Sequence, residues 1–283
     1  MSSFMIASIV RFLNPVIKSR NKMASSTSNN ANNHQPTLQD VLSVKKCFLK
    51  VVPIELVDQI ISFAEYWPHN TIKLAEGTIV RNNGEELCLQ SQPLPGTFIP
   101  ESETEGVDIG GVCVRTLIPA RKVVFRIWSH DQGWSSSNPG RDIYEGSFTW
   151  FEAFLERPVT IAAARGATPL TNPINIKGRD VLSARQFELG WKTVPISKGN
   201  TEETCERCHI QCNVRASSET KSHTVVWSWD DRPGSQLAGG SGYGGDFVRS
   251  MKAGDRVSVV ARAMYPGWAN HVQKMEIDIY YVV

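Results

Sequence analysis

The residues best equipped for chemistry sit in two matching loops. The first reads Ser129-His130-Asp131-Gln132-Gly133-Trp134 and the second Ser228-Trp229-Asp230-Asp231. Each sets carboxylates beside a tryptophan. An indole stacks on the apolar face of a sugar ring while a carboxylate accepts hydrogen bonds from its hydroxyls, so the combination suits ligand binding. His130 beside Asp131 also suits proton transfer. The same residue types serve structure as well: Trp fills cores, and Ser and Asp cap turns through side-chain-to-backbone hydrogen bonds. Trp268, within Pro266-Gly267-Trp268-Ala269-Asn270-His271, adds an aromatic in another polar loop. The candidate ligand-binding residues are therefore His130, Asp131, Trp134, Asp230, Asp231 and Trp268. No complete catalytic set is visible, and no catalytic residue is assigned. A binding role predicts that His130→Ala and Asp131→Ala leave stability nearly unchanged while weakening binding.

Two other motifs carry less. Cys205-Glu206-Arg207-Cys208-His209 has the spacing of covalent haem attachment, and with Cys212 it suggests zinc. Neighbouring Cys208 and His209 have difficulty reaching one ion, and there is no second Cys-x-x-Cys pair. Neither metal nor cofactor is expected. Gly240-Ser241-Gly242-Tyr243-Gly244-Gly245 contains Gly-x-Gly-x-x-Gly, but it does not directly follow a strand, and β pattern is predicted after it. It reads as a loop that needs backbone freedom.

The elements that position these loops recur. Val123-Val124-Phe125-Arg126-Ile127-Trp128-Ser129 leads through a Gly/Ser/Pro-rich loop to Tyr144-Glu145-Gly146-Ser147-Phe148. Val225-Val226-Trp227-Ser228 leads in the same way to Tyr243-Gly244-Gly245-Asp246-Phe247. Such self-similarity marks a repeated supersecondary unit. Strands are predicted at 86–91, 112–117, 122–129, 147–154, 158–164, 187–194, 208–215, 223–229, 256–264 and 271–282, with loops at 92–111, 132–146, 165–180 and 232–245. Many short strands and turn-rich loops give an all-β chain, a two-part, jelly-roll-like β-sandwich with internally repeated halves, 72–164 and 165–283. A short α-helical N-terminal segment, 37–70, precedes it.

In that segment Leu56, Ile60, Phe63 and Ala64 have helical spacing, Pro53 suits the helix start, and Trp67-Pro68 ends it. Val52-Pro53-Ile54-Glu55-Leu56-Val57-Asp58-Gln59-Ile60 resembles the opening of an F-box, the helical unit that docks on the linker subunit of a ubiquitin ligase. The later Leu-rich helices of that family are missing. The resemblance implies that Leu56 and Ile60 face this partner. Separately, Ser129 to Trp134, Tyr144 to Phe151, Gly254-Asp255-Arg256-Val257 and Pro266 to His271 resemble a family of fungal proteins over roughly residues 50–283, which implies a two-part β fold and no mechanism. A helix of this kind before a β-sandwich is also similar in arrangement to F-box lectins.

Bulk properties exclude more than they assign. The net charge is +2, from 30 basic and 28 acidic residues, so no strong electrostatic footprint for nucleic acid follows. No apolar run approaches the roughly 20 residues of a membrane span. Cys88 and Cys113, each between apolar neighbours, read as buried thiols, which points to a reducing compartment. Residues 1–36 form a disordered or targeting tail. It opens with an acid-free, basic stretch through residue 22 that suits mitochondrial import. The leading expectation is a cytoplasmic or nuclear protein, with mitochondrial import through residues 1–22 as the alternative; Met23 is a further candidate start. The expected function is a non-enzymatic binding module, an F-box-like adaptor whose sandwich holds a glycan or a protein. The alternatives are an enzyme using His130, Asp131, Asp230 or Asp231, and a structural interaction protein.

Overall fold

The computed structural model describes residues 35–96, 120–135, 142–176, 179–199, 203–232 and 239–283. Most of the N-terminal tail, the strand predicted at 112–117 and Cys113 lie outside the described residues. Two compact units result, one running to His69 and including Val282–Val283, the other Asn70–Tyr281.

The first unit holds helices α1 (Leu38–Phe48) and α2 (Ile54–Phe63). Thr37 starts α1 with a capping box: its hydroxyl accepts from the Asp40 amide while the Asp40 carboxylate accepts from the Thr37 amide. Pro53, extended at φ −60°, is the N-cap of α2. An ion pair of 2.7 Å between Lys45 Nζ and Asp58 Oδ1 ties the helices together. Val41, Val57, Ile60 and Ile61 are buried. No described helix is long and apolar enough to cross a membrane.

The second unit is mostly β and built of antiparallel sheets. Its strands are β1 (His69–Lys73), β2 (Thr78–Arg81), β3 (Gly84–Gln90), β4 (Ala120–His130), β5 (Thr149–Pro158), β6 (Ile174–Asn175), β7 (Trp191–Val194), β8 (Ile196–Ser197), β9 (Thr204–Cys205), β10 (Cys208–Cys212), β11 (Lys221–Ser228), β12 (Arg256–Ala263) and β13 (Ala269–Tyr281). One sheet has the order β1-β13-β4-β11, with β2 also on β13. Another has the order β10-β5-β12-β3-β6, with β7 also on β5. Strands β8 and β9 form a third. Strands from before and after residue 165 alternate in both larger sheets, so neither predicted half owns a sheet.

A single apolar core takes side chains from both larger sheets. Phe125, Ile127, Trp227, Met275 and Ile277 come from the first, and Phe151, Leu155, Val257, Val259 and Ile210 from the second. Strands alternate their side chains between two faces, and the outer face of the second sheet is covered as well. There Leu87, Phe154 and Val260 pack with Leu182 of α4 (Arg179–Glu188). This double burial explains why β12 is apolar along most of its length.

Three sequence assignments change. Residues 158–164, expected as a strand, hold the end of β5 and helix α3 (Ile161–Arg165), started by the Thr160 hydroxyl accepting from the Ala163 amide. Residues 187 and 188, expected in a strand, close α4, and the strand begins only at Trp191. A six-residue helix, α5 (Gly245–Ser250), follows the glycine-rich loop where β pattern is predicted. That loop is packed against Trp227, whose Nε1 donates to the Gly242 carbonyl at 2.8 Å.

The two segments that resemble each other in sequence lie side by side. Each runs from the first sheet to the second, as β4 to β5 and as β11 to β12. The paired strands are antiparallel, with Val226 opposite Val124 and Arg256 opposite Glu156. Two ion pairs reciprocate across β5 and β12: Glu156 with Arg256, and Arg157 with Asp255, each at 2.8 Å. Neither motif tyrosine sits in a strand. Phe148 is half-buried against Tyr265 and Trp268, whereas Phe247 is fully buried against Trp227.

Candidate functional site

The register decides which candidate residues meet. Lys221 lies opposite Ser129 and Ser228 opposite Lys122. The loop after β11 therefore leaves the sheet at the end where β4 begins. His130, Asp131 and Trp134 lie at one end and Asp230 and Asp231 at the other, on the order of 30 Å of strand apart. Antiparallel pairing of β4 with β11 sends the loops that follow these two strands to opposite ends. Trp268 joins the first group, since it precedes β13 at the end where His271 pairs with His130.

At that first end Asp131 does not face solvent. Its side chain is fully buried, and its oxygens accept from the Gln132 amide at 2.6 Å and the Ala216 amide at 3.0 Å. It clamps the loop after β4 to the turn at Ala216, which holds a left-handed φ of 54°. The expectation that Asp131→Ala spares stability is thus replaced: truncation orphans two backbone donors. His130 stacks on His271, with ring centroids 4.4 Å apart and planes 13° from parallel. Its Nδ1 is 2.6 Å from the Asp131 carbonyl oxygen and so carries the proton. Burial, followed by the charges of His130 and Arg81, lowers the His271 pKa.

Beneath this loop lies a polar network that sequence reasoning missed. Ser129 Oγ donates to Asn213 Oδ1 at 2.6 Å. Asn213 Nδ2 lies 2.9 Å from both Thr149 Oγ1 and Asn270 Oδ1. Asn270 Nδ2 reaches the carbonyls of Trp150 and Arg262, each at 3.2 Å. All four side chains are buried. The network ties β4, β5, β12 and β13 to the segment after β10. A satisfied buried network rigidifies what it joins. Asn270 stood within a quoted motif, but nothing local to Asn213 marked it as a partner.

The exposed part of this end is aromatic. Trp134 is 60% exposed and Tyr265 49%. The Trp134 ring lies over Gly267, where an added Cβ would be 3.4 Å from Cη2. Gln132 Nε2 donates to the Trp134 carbonyl at 2.7 Å, and Gln132 Oε1 accepts from the Ala269 amide at 3.3 Å. The Gly267 amide donates to Asn82 Oδ1 at 3.0 Å. Trp268 and Tyr265 both meet Phe148 edge-on, at 5.0 and 4.9 Å. Trp268 is half-buried and supports the patch from beneath.

At the other end Asp231 acts as a turn cap: its Oδ2 accepts from the Ser228 amide at 2.8 Å. Asp230 is exposed and accepts from the Ser228 hydroxyl. Arg249 donates to the carbonyls of Trp229 and Asp231, and the Arg121 guanidinium covers the Trp229 ring at 4.5 Å. Of the two residues expected to face a ligase linker subunit, Leu56 is half-buried and Ile60 only 4% exposed. The large apolar side chains that α1 and α2 expose are Leu38, Leu42, Ile54 and Phe63. Cys208 and His209 are strand neighbours and point to opposite faces. The first enters the core, while the second places Nε2 2.9 Å from the Gly240 carbonyl. The described residues hold no group of three or more His, Cys, Asp or Glu placed to bind a metal.

Asp131 also gives a pH signature. Burial pushes its carboxyl up to about 6, against the pull of the Ala216 and Gln132 amides and the charges of His130 and Arg215. In the unfolded chain it titrates at about 4. The folded pKa is therefore the higher one, and the contribution to stability is full below about pH 4 and is lost as pH rises to about 6. The stability of the native protein relative to Asp131→Asn should fall across that window and level off above it, as read from urea midpoints. A rise across the window would show that the two amides outweigh burial.

No protein-family model matches the chain, and no curated protein matches it closely enough to lend it a family.

Proposed function

We propose that the chain is a non-enzymatic binding module that takes a glycan on the aromatic loop end of its β unit. One observation carries this reading: Trp134 is widely exposed, yet its loop is fixed by Gln132, Asp131 and the close approach to Gly267. An indole held in place before a ligand arrives loses little freedom on stacking. Single exposed apolar residues are ordinary, but Trp134 and Tyr265 belong to one patch backed by Trp268 and Phe148. The enzyme alternative loses its residues. Both oxygens of Asp131 accept from backbone amides, the Nδ1 proton of His130 goes to a carbonyl, and Asp230 and Asp231 are at the far end.

The test is a glycan array followed by calorimetry on the strongest ligand. Trp134→Ala should weaken binding about tenfold or more, since truncating a central interface tryptophan costs over ~1 kcal/mol. The melting temperature should stay within a few degrees, because the ring is largely exposed. Unchanged affinity for that ligand, or an array on which nothing binds, would remove the reading.

We read the β unit as a sandwich of two duplicated halves related by an approximate two-fold axis. The Val124–Val226 register, which leaves Phe125 and Trp227 on one face, supports this. When β4–β5 is superposed on β11–β12, Phe125 should fall on Trp227. A fit that pairs other residues removes the duplication.

A further inference from the structure

The cysteines differ sharply in what surrounds them. Cys88 is fully buried, and its Sγ lies 3.6 Å from the Glu86 carbonyl. Cys47 is exposed on α1. Cys212 Sγ is 3.6 Å from His209 Nε2, but that nitrogen carries the proton it gives to the Gly240 carbonyl, so it is no base for the thiol. Cys205 and Cys208 are different. Their sulfurs lie 3.5 Å apart, and both thiols are free. Among the described residues this is the pair whose sulfurs approach each other. A disulfide requires about 2.05 Å, so closing this pair takes roughly 1.5 Å, within reach of side-chain rotation at a two-residue bend.

We propose that Cys205 and Cys208 form a reversible disulfide, a redox modification site at the corner where β9 meets β10, closed by exchange with a small-molecule disulfide of the glutathione class. The position gives the bridge a structural consequence. Cys205 pairs with Ile196 of the small β8–β9 sheet, while Cys208 pairs with Ala153 at the edge of the larger sheet. The bond ties one sheet to the other through a second covalent path.

The order of events follows from access. Cys205 is half-buried and Cys208 only 8% exposed. Cys205 is therefore the entry thiol. Its thiolate attacks one sulfur of oxidised glutathione, forming a mixed disulfide and expelling one glutathione thiolate. Cys208 then gives up its proton to solvent and attacks the Cys205 sulfur, and the second glutathione leaves as its thiolate. Two protein thiols are oxidised by two electrons, and one glutathione disulfide is reduced to two thiols. Burial, with the neighbouring Cys205 next, raises the Cys208 pKa, which makes the second step the slow one.

The test uses the full chain, incubated with excess oxidised glutathione, alkylated and mapped by mass spectrometry. The expected product is a peptide bridged between Cys205 and Cys208, lighter by two hydrogen atoms and restored by dithiothreitol. Cys205→Ser should abolish it, and Cys212→Ser and Cys88→Ser should leave it intact. The bridged protein should also resist proteolysis between residues 196 and 208 more than the reduced one. A glutathione adduct that persists on Cys205 without closing, a bridge to any other cysteine, or two thiols that stay unmodified would each overturn the proposal.

Discussion

Glu156→Ala is expected to destabilise the protein by about 3–5 kcal/mol, because it leaves a buried guanidinium without its counter-ion. Glu156 is fully buried on the outer face of β5, and Arg256 is almost as deep. The carboxylate accepts from Arg256 Nε at 2.8 Å and Nη2 at 3.2 Å, from Gln90 Nε2 at 2.8 Å, from Gln186 Nε2 at 2.9 Å and from the Ser258 hydroxyl. The guanidinium also lies 3.9 Å over the Trp191 ring. Truncation removes the charge and orphans these donors together. The loss should appear as a lower urea midpoint with an unchanged slope. Replacing both partners, as Glu156→Met with Arg256→Met, should cost far less, because an apolar pair of similar volume leaves no buried charge. A Glu156→Ala loss below about 1 kcal/mol would mean that water reaches Arg256 and that α4 does not seal this face.

The same cluster shows what a sequence reader can and cannot see. Its members come from β3, β5, β12 and α4, and the polar residues among them read locally as solvated positions in strands. Glu156-Arg157 and Asp255-Arg256 have the same local pattern, but only the pairing of β5 with β12 turns them into reciprocal ion pairs. Long apolar alternation, as in β13, was legible because it depends on neighbours along the chain. So was the self-similarity of the two segments, since it needs no third dimension. The antiparallel pairing of β4 with β11 was not, and that pairing sends Asp131 and Asp231 to opposite ends. Helix α4 was missed for a related reason: its short apolar face, with Leu182, gains meaning only against Phe154 and Val260. The exposed aromatic end was half legible. Trp134 and Trp268 stood out by type, but the burial of Asp131 depends on the Ala216 amide, which lies far away in sequence.

Gly244→Ala is expected to cost about 3 kcal/mol or more, and the reason lies in distance rather than backbone freedom. Gly244 has φ −136° and ψ 15°, with φ on the side open to any residue. A Cβ there would sit 1.8 Å from Cδ2 of Trp227 and 2.3 Å from Cε2 and Cε3. The indole cannot swing away. It is fully buried, it donates to the Gly242 carbonyl, and it is wedged against Phe125 at 4.7 Å and Phe247 at 5.2 Å. Adding carbon to a packed core usually costs about 1–3 kcal/mol, and a contact this short with a fixed ring belongs at or above the upper end. Gly166→Ala is the control. Its φ is −84°, and its nearest neighbour, the Ala162 carbonyl oxygen, would be 3.2 Å away, so the change should be within about 0.5 kcal/mol or slightly stabilising. A smaller ring should relieve the clash, so Gly244→Ala with Trp227→Phe should lose less than the sum of the two single changes. Far-ultraviolet circular dichroism in urea reads all four variants without relying on tryptophan emission. If Gly244→Ala proves as mild as Gly166→Ala, the glycine-rich loop stands off from Trp227, and the glycines serve conformation, as Gly239 and Gly240 do at φ 41° and 74°.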